Sequence, residues 1–131
     1  MKVLALDFGR ARTGVAVSDP SGTIARPLCV VEGAASGDGL ARLAALIGEQ
    51  EVERVVVGLP LTLRGERGEQ ALETERFVQA LGEVTDVPVV TFDERFTTDL
   101  AEQMAADAPE DARAAAHLLS SYLTWTSSAR A

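Results

Sequence analysis

The sequence predicts an α/β fold in which a mixed β-sheet is flanked by helices. Three observations predict it. Apolar runs of strand length open the chain and are joined by short, glycine-containing turns. The apolar period then alternates between helical and strand-like through the middle of the chain. The final third reads as helix. Hairpin strands followed by alternating helices and strands give a mixed sheet, three antiparallel strands and then two parallel ones, with helices on its faces.

Taken in order, residues 2–8 read as the first strand, Gly9 to Gly14 as a glycine-bounded turn, and Val15-Ala16-Val17-Ser18 as the returning strand of a hairpin. Asp19-Pro20-Ser21-Gly22 is a second turn, followed by an extended run through Ile24 and Leu28-Cys29-Val30-Val31. These segments predict an antiparallel meander. Ala34 to Gly39 reads as a loop of small residues, after which Leu40, Leu43, Ala44 and Ile47 recur at helical spacing. Val55-Val56-Val57 is a short buried strand ending in Gly58-Leu59-Pro60. Beyond a loop holding Arg64, Gly65, Arg67 and Gly68, the residues Ala71, Thr74, Phe77, Val78 and Leu81 form a helical stripe. The strand Val87 to Phe92 comes next. Thr97 can cap a helix carrying Leu100 and Met104. Pro109 opens the last helix at its first position, where a missing N–H costs nothing, and Leu118, Leu119, Tyr122 and Trp125 form that helix's buried side. No repeat or linker interrupts the pattern, so one domain over 1–131 is expected.

Composition narrows the chemistry. With 131 residues, 47% of them hydrophobic, the chain can build a real core. Cys29 and His117 are the only cysteine and histidine, which excludes a disulfide framework and any Cys/His zinc site. His117 itself reads as a packing or surface residue. Any metal must be held by oxygen, which points to magnesium or manganese. No signal segment opens the chain and no apolar stretch approaches the roughly 20 residues of a membrane span, so a soluble, cytoplasmic protein is expected. The net charge of −8 argues against sequence-blind coating of nucleic acid, but not against a local basic rim. Lys2 is the sole lysine; the other basic residues are arginines, whose planar fork suits phosphate, although a GC-rich genome would favour them equally.

Two apolar runs stop at acids: Lys2 to Leu6 runs into Asp7, and Val87 to Phe92 into Asp93-Glu94. A carboxylate at the end of a buried strand sits where the sheet opens onto a crevice. Carboxylates gathered there repel one another and call for a cation or a proton; a divalent metal is the expectation. The plainer reading of Asp7 is a turn residue. Asp93 and Glu94 are neighbours, so in a strand they point to opposite faces, and Arg95 can pair with whichever faces away. The residues alone leave open which one faces the crevice. Asp111 falls in the first turn of the last helix, where it also suits the helix dipole. It shares a face with Ala114, Ala115, Leu118 and Tyr122, however, and so aims at the sheet. Gly9 and Gly14 permit close backbone approach, and N–H groups in such turns can meet phosphate oxygens.

Asp7-Phe8-Gly9 with Gly14-Val15-Ala16-Val17-Ser18-Asp19-Pro20 resembles the opening of the YqgF/RuvX family. So do Ala25-Arg26-Pro27, Val57-Gly58-Leu59-Pro60-Leu61, Asp93-Glu94-Arg95-Phe96-Thr97-Thr98, and Asp111 with Ala114-Ala115, Leu119 and Tyr122, all in the family's order. The resemblance implies an RNase H-like fold, related to Holliday-junction resolvases of the RuvC type. Members are described as nucleases for the 5′ end of pre-16S ribosomal RNA and, earlier, as junction resolvases. It implies a catalytic, metal-holding triad of Asp7, Glu94 and Asp111, favouring Glu94 over Asp93, and hydrolysis by metal-activated water with Mg2+ or Mn2+. Arg10, Arg12 and Arg95 are candidates to hold the substrate backbone. Arg64 and Arg67 lie on a loop that could reach over substrate or simply be solvated.

One segment departs from the family pattern. Members commonly carry a longer, lysine-bearing stretch before the last-helix aspartate, whereas Ala105 to Glu110 here is short and acidic. Arg113, Arg10 or Arg12 would then supply the rim's basic contacts. The expected activity is a metal-dependent endonuclease acting on precursor ribosomal RNA, as a monomer or homodimer. The alternative is a resolvase of branched DNA, which should act as a symmetric dimer. Two further readings are a nucleotide-binding module, by analogy with the phosphate-binding hairpin of actin-like and sugar-kinase folds, and a non-catalytic RNA-associated domain.

Overall fold

Strand alternation decides what lies on each side of the sheet. The computed structural model describes residues 1–97 and 107–130, with side chains through Ser127. Strands β1 (Val3–Asp7), β2 (Arg12–Ser18), β3 (Ala25–Glu32), β4 (Arg54–Leu59) and β5 (Val89–Asp93) form one sheet in the order β3-β2-β1-β4-β5. The β1/β2 and β2/β3 pairs are antiparallel, while β1/β4 and β4/β5 are parallel. Short turns close the first pairs. The parallel pairs need crossovers, supplied by α1 (Gly37–Glu49) before β4 and α2 (Glu69–Gly82) before β5. The expected mixed sheet is the sheet found.

Leu4, Leu6, Val15, Val17, Val55 and Val57 face α1 and α2, where they pack with Leu43, Leu46, Ile47, Phe77 and Leu81. Val3, Ala5, Ala16, Val56 and Phe92 face the other way, against Ala115, Leu118, Leu119 and Tyr122 of α3 (Glu110–Arg130). Both faces of β1 are therefore buried, which is why it reads as an unbroken apolar run. By the same alternation Asp7 belongs to the row of Val3 and Ala5, beneath α3. Among the described residues, no helix is long and apolar enough to cross a membrane.

Helix α3 sits unusually close to the sheet. Ala112, Ala115 and Ala116 are fully buried along its inner side. At its start a side chain on Gly14 would collide with the main-chain carbonyl of Asp111. The predicted turn runs from Gly9 to Gly14, but β2 already begins at Arg12 and Gly14 pairs with Asp7. Gly14 is thus a strand glycine that lets a helix backbone approach, rather than part of a phosphate-facing turn.

Other boundaries shift for local reasons. Helix α1 begins inside the predicted loop, because the Ser36 hydroxyl accepts from the Gly39 N–H at 3.0 Å and so caps the helix early. Pro109 precedes α3 instead of opening it, and its carbonyl accepts the Arg113 N–H at 3.0 Å. Trp125, expected on the buried side of α3, is 54% exposed. It lies against Phe92 of β5, ring centroids 5.9 Å apart, and β5 is the edge strand of the sheet among the described residues. The helix expected to carry Leu100 and Met104 lies outside the described residues.

Gly14→Ala should therefore lower stability by roughly 1–3 kcal/mol, the usual cost of overpacking, or more because the obstacle is main chain. A drop in the urea midpoint with an unchanged slope is the expected result.

Candidate active site

Strands β1, β4 and β5 run parallel and end at one edge of the sheet. Asp7 is the last residue of β1, and Glu94 follows directly on β5. Strand β4 lies between them, so the two acids can meet only across it. Gly58 of β4 makes the crossing possible: a Cβ there would lie 2.6 Å from Glu94 Oε1 and 3.1 Å from Leu118 Cδ2. The Glu94 side chain passes over this glycine and hydrogen-bonds to Asp7. Phe8, the next residue in β1's alternation, goes to the opposite face and stacks on Phe77 of α2 with centroids 4.3 Å apart.

Asp93 turns the other way. Its carboxylate accepts the Arg95 N–H at 2.9 Å, capping the 3-10 turn Glu94–Phe96, and the Arg95 guanidinium holds it at 2.6 Å. Adjacent acids thus divide as the alternation argument requires, and Glu94 is the one beside Asp7.

Burial dominates the electrostatics of the pair. Loss of water raises the Asp7 carboxyl above its ordinary range, the charge of Asp111 raises it further, and the hydrogen bond from Glu94 partly offsets both. Glu94 is pushed up to about 7, by burial first, then by the charge of Asp7 and by the hydrogen bond it donates to Asp7. Below about pH 7 Glu94 thus carries a proton and donates it to Asp7.

Asp111 stands close enough for Asp7 to feel its charge, yet it is engaged elsewhere. Its carboxylate pairs with Arg12 Nε at 3.2 Å, and both side chains are substantially exposed. The inward aim expected for Asp111 applies to its backbone, seated on Gly14, more than to its side chain. Among the described residues no three Asp, Glu, His or Cys side chains converge as a metal cage. The donor chemistry nevertheless fits a hard divalent cation: two partly desolvated carboxyls in contact, a third alongside, and the Thr97 hydroxyl, buried and without a partner among the described residues. Thr97 lines a recess of about 250 Å³ together with Asp7, Glu94, Ala114 and Leu118.

On the other side of the pair opens a larger cleft of about 500 Å³, lined by Asp7, Gly9, Arg10, Glu69, Glu73 and Glu94 among others. Of the candidate arginines, Arg10 borders this cleft and forms an ion pair with Glu73 of α2. Arg12 is on Asp111, and Arg95 is taken up by Asp93 and by the Leu63 carbonyl at 3.4 Å. In the loop before α2, Arg67 pairs with Glu75 at 3.2 Å and Arg64 is exposed. Among the described residues the buried Nε of Arg113 has no partner, and His117 is buried in α3.

Comparison with known proteins places this architecture. The profile of the family described as RuvX, Holliday junction resolvase, matches residues 1–125. The chain belongs to the RuvX family. A relative from Chloroflexus aggregans, named "Putative pre-16S rRNA nuclease", is 50% identical over 102 residues, covering 78% of this chain and 72% of its own length. One from Desulforudis audaxviator, with the same name, is 38% identical over 139 aligned positions and covers 99% of each chain. Among solved structures, Thermus thermophilus RuvC in complex with a Holliday junction substrate superposes with a TM-score of 0.65 at 17% identity, covering 98% of this chain and 96% of that one. At that identity the likeness concerns the fold, which is the RuvC-like RNase H fold.

Within this RuvX-family site, sequence reasoning passed over Gly58 and Thr97. A glycine closing a Val-Val-Val strand signals close approach, but nothing in the sequence says that the approaching group is an acid. Thr97 reads as a helix cap, and only its position beside the pair reveals a buried hydroxyl.

The proton on Glu94 makes stability depend on pH. Unfolded, the carboxyl titrates near 4.5; folded, near 7. Between those values the folded state binds the extra proton, so stability is greatest below about pH 4.5 from this group and is lost as pH rises through 7. Asp7 shifts the same way. The melting temperature measured from pH 5 to 8 should fall, and Glu94→Gln, which mimics the protonated form, should flatten that fall.

Proposed function

We propose that the chain is a single metal-dependent endonuclease domain over 1–131, cytoplasmic, that hydrolyses phosphodiesters and acts on the 5′ end of precursor 16S ribosomal RNA. The observation that carries this reading is the desolvated Asp7–Glu94 pair at the common end of three parallel strands, flanked by Asp111 and bordered by a cleft with an arginine. The RNA assignment rests on the relatives' names. The family description and the structural likeness to RuvC support a second reading, cleavage of four-way DNA junctions, which requires a symmetric dimer.

Asp7, Glu94 and Asp111 would hold Mg2+ or Mn2+. When bound, the cation supplies charge neutralisation at the scissile phosphate and makes a water molecule more acidic. The chain's own groups do the rest. Glu94, protonated beside Asp7 in the folded chain, would have to be ionised for the pair to offer two carboxylate donors. Arg10 faces the cleft on an exposed ion pair that phosphate can replace, since such pairs contribute little. The cleft walls place the phosphodiester beside the acids, and α3 closes the sheet side against water.

Side-by-side cleavage of precursor ribosomal RNA and four-way junctions, at equal metal and salt, tests the substrate assignment; preference for the junction would overturn the RNA reading. Asp7→Asn should reduce cleavage by more than about 100-fold, since loss of even an outer partner of a metal ligand costs 10–100-fold. Asp93→Asn should cost less than about tenfold, because Asp93 is held by Arg95 and faces away. Mn2+ should also raise the melting temperature of the wild type, and not of Asp7→Asn, by binding the folded state alone.

A further inference from the structure

We infer that Arg12 is a positioning residue that holds the Asp111 carboxylate off the Asp7–Glu94 pair until a substrate phosphate draws the guanidinium away. The inference rests on the metal-nuclease reading above and adds to it a coupling between nucleic acid and cation.

The argument begins with what is fixed and what is free. Gly14 lies opposite Asp7 in the β1/β2 register, and the main chain of Asp111 is seated on Gly14 with no room for a Cβ. The backbone of Asp111 is therefore locked beside Asp7, and only its side-chain torsions can move the carboxylate. Arg12 is two residues before Gly14 on β2, on the same face of the strand. It reaches Asp111 through Nε at 3.2 Å, with the Arg12 side chain 66% exposed and that of Asp111 39% exposed.

Three acids are thus gathered, two of them touch, and the third is turned onto an arginine. Among the described residues the three acids do not converge as a metal cage, and the Asp111 carboxylate is paired with Arg12. An exposed arginine is also the group a phosphodiester would engage, since the guanidinium fork takes phosphate oxygens two at a time. Phosphate on Arg12 and carboxylate on Arg12 compete. When phosphate wins, Asp111 is left as an uncompensated charge beside the pair, and a divalent cation there relieves it. By linkage, nucleic acid and cation each strengthen the binding of the other.

A double-mutant cycle on Mn2+ affinity, measured by calorimetry without nucleic acid, tests this. Releasing an exposed ion pair is worth at most about a factor of five. Arg12→Gln should therefore tighten Mn2+ binding about three- to fivefold in the wild-type background. In an Asp111→Asn background the same substitution should leave affinity unchanged. Simple removal of a nearby positive charge would act equally in both backgrounds, and that outcome overturns the proposal while leaving the nuclease reading intact. Arg12→Met, which keeps the apolar stem, repeats the measurement should the Gln variant fold poorly. In the presence of a saturating, non-cleavable phosphorothioate oligonucleotide, the wild type should gain more Mn2+ affinity than Arg12→Gln, by the same factor. Equal gains would also overturn it. If the wild type binds no Mn2+, or if Asp7→Asn binds it as tightly, the nuclease reading itself falls and the inference with it.

Discussion

Two half-buried carboxyls held against each other are costly, and the surrounding structure is arranged to hold them there. Asp7 cannot retreat, because it ends a strand buried on both faces. Glu94 reaches it only by crossing β4 at a residue without a side chain. Helix α3 closes over the pair because Gly14 and a line of fully buried alanines let it lie close to the sheet. The proton that Glu94 donates to Asp7 is the chain's own remedy for this arrangement below about pH 7. A divalent cation would be a better one, replacing one proton with two charges at the same oxygens. The glycines, the small residues on α3 and the displaced Glu94 carboxyl are parts of one constraint.

Much of this was legible in the sequence because burial writes itself as periodicity. The unbroken apolar run before Asp7, the Val-Val-Val strand and the stripe from Ala71 to Leu81 each report the layer they occupy. Topology followed from the change of period. The split between Asp93 and Glu94 was half legible: alternation requires that one acid face away, and Arg95 offers it a partner, but only the RuvX-family resemblance pointed to Glu94. In the structure Arg95 holds Asp93. Trp125 was misjudged because helical spacing reports an angle around α3, not whether a strand lies beneath that angle, and β5 is the edge among the described residues. Asp111 is a related case, near enough to the sheet for Asp7 to feel its charge but with a carboxylate that is partly exposed. Its face is inward, yet a short side chain in a first turn can swing to an arginine on the neighbouring strand.

What periodicity cannot report is contact between elements remote in sequence. Gly14 meets Asp111 across nearly the whole chain, and Gly58 meets Glu94 across a helix and a strand. Neither glycine names in the sequence the group that approaches it. A strand glycine shows that something comes close, but its identity depends on strand order, and strand order is settled only once the crossovers have packed.

The arginines raise a last point about an acidic chain that is to handle an acidic polymer. Arg10, Arg12, Arg67 and Arg95 each lie on a carboxylate of the chain itself. A free basic rim would attract any nucleic acid, with strong dependence on salt, through release of condensed counterions. An arginine already paired exchanges one anion for another when phosphate arrives, so it contributes less to that general attraction. On the proposed mechanism, the carboxylate it leaves behind would be free to act as a donor for a cation. On the coupling inferred above, indiscriminate affinity would be low, and productive contact would need the phosphate on the guanidinium and the cation on the acid together. The net charge of −8 is then compatible with a nucleic-acid substrate.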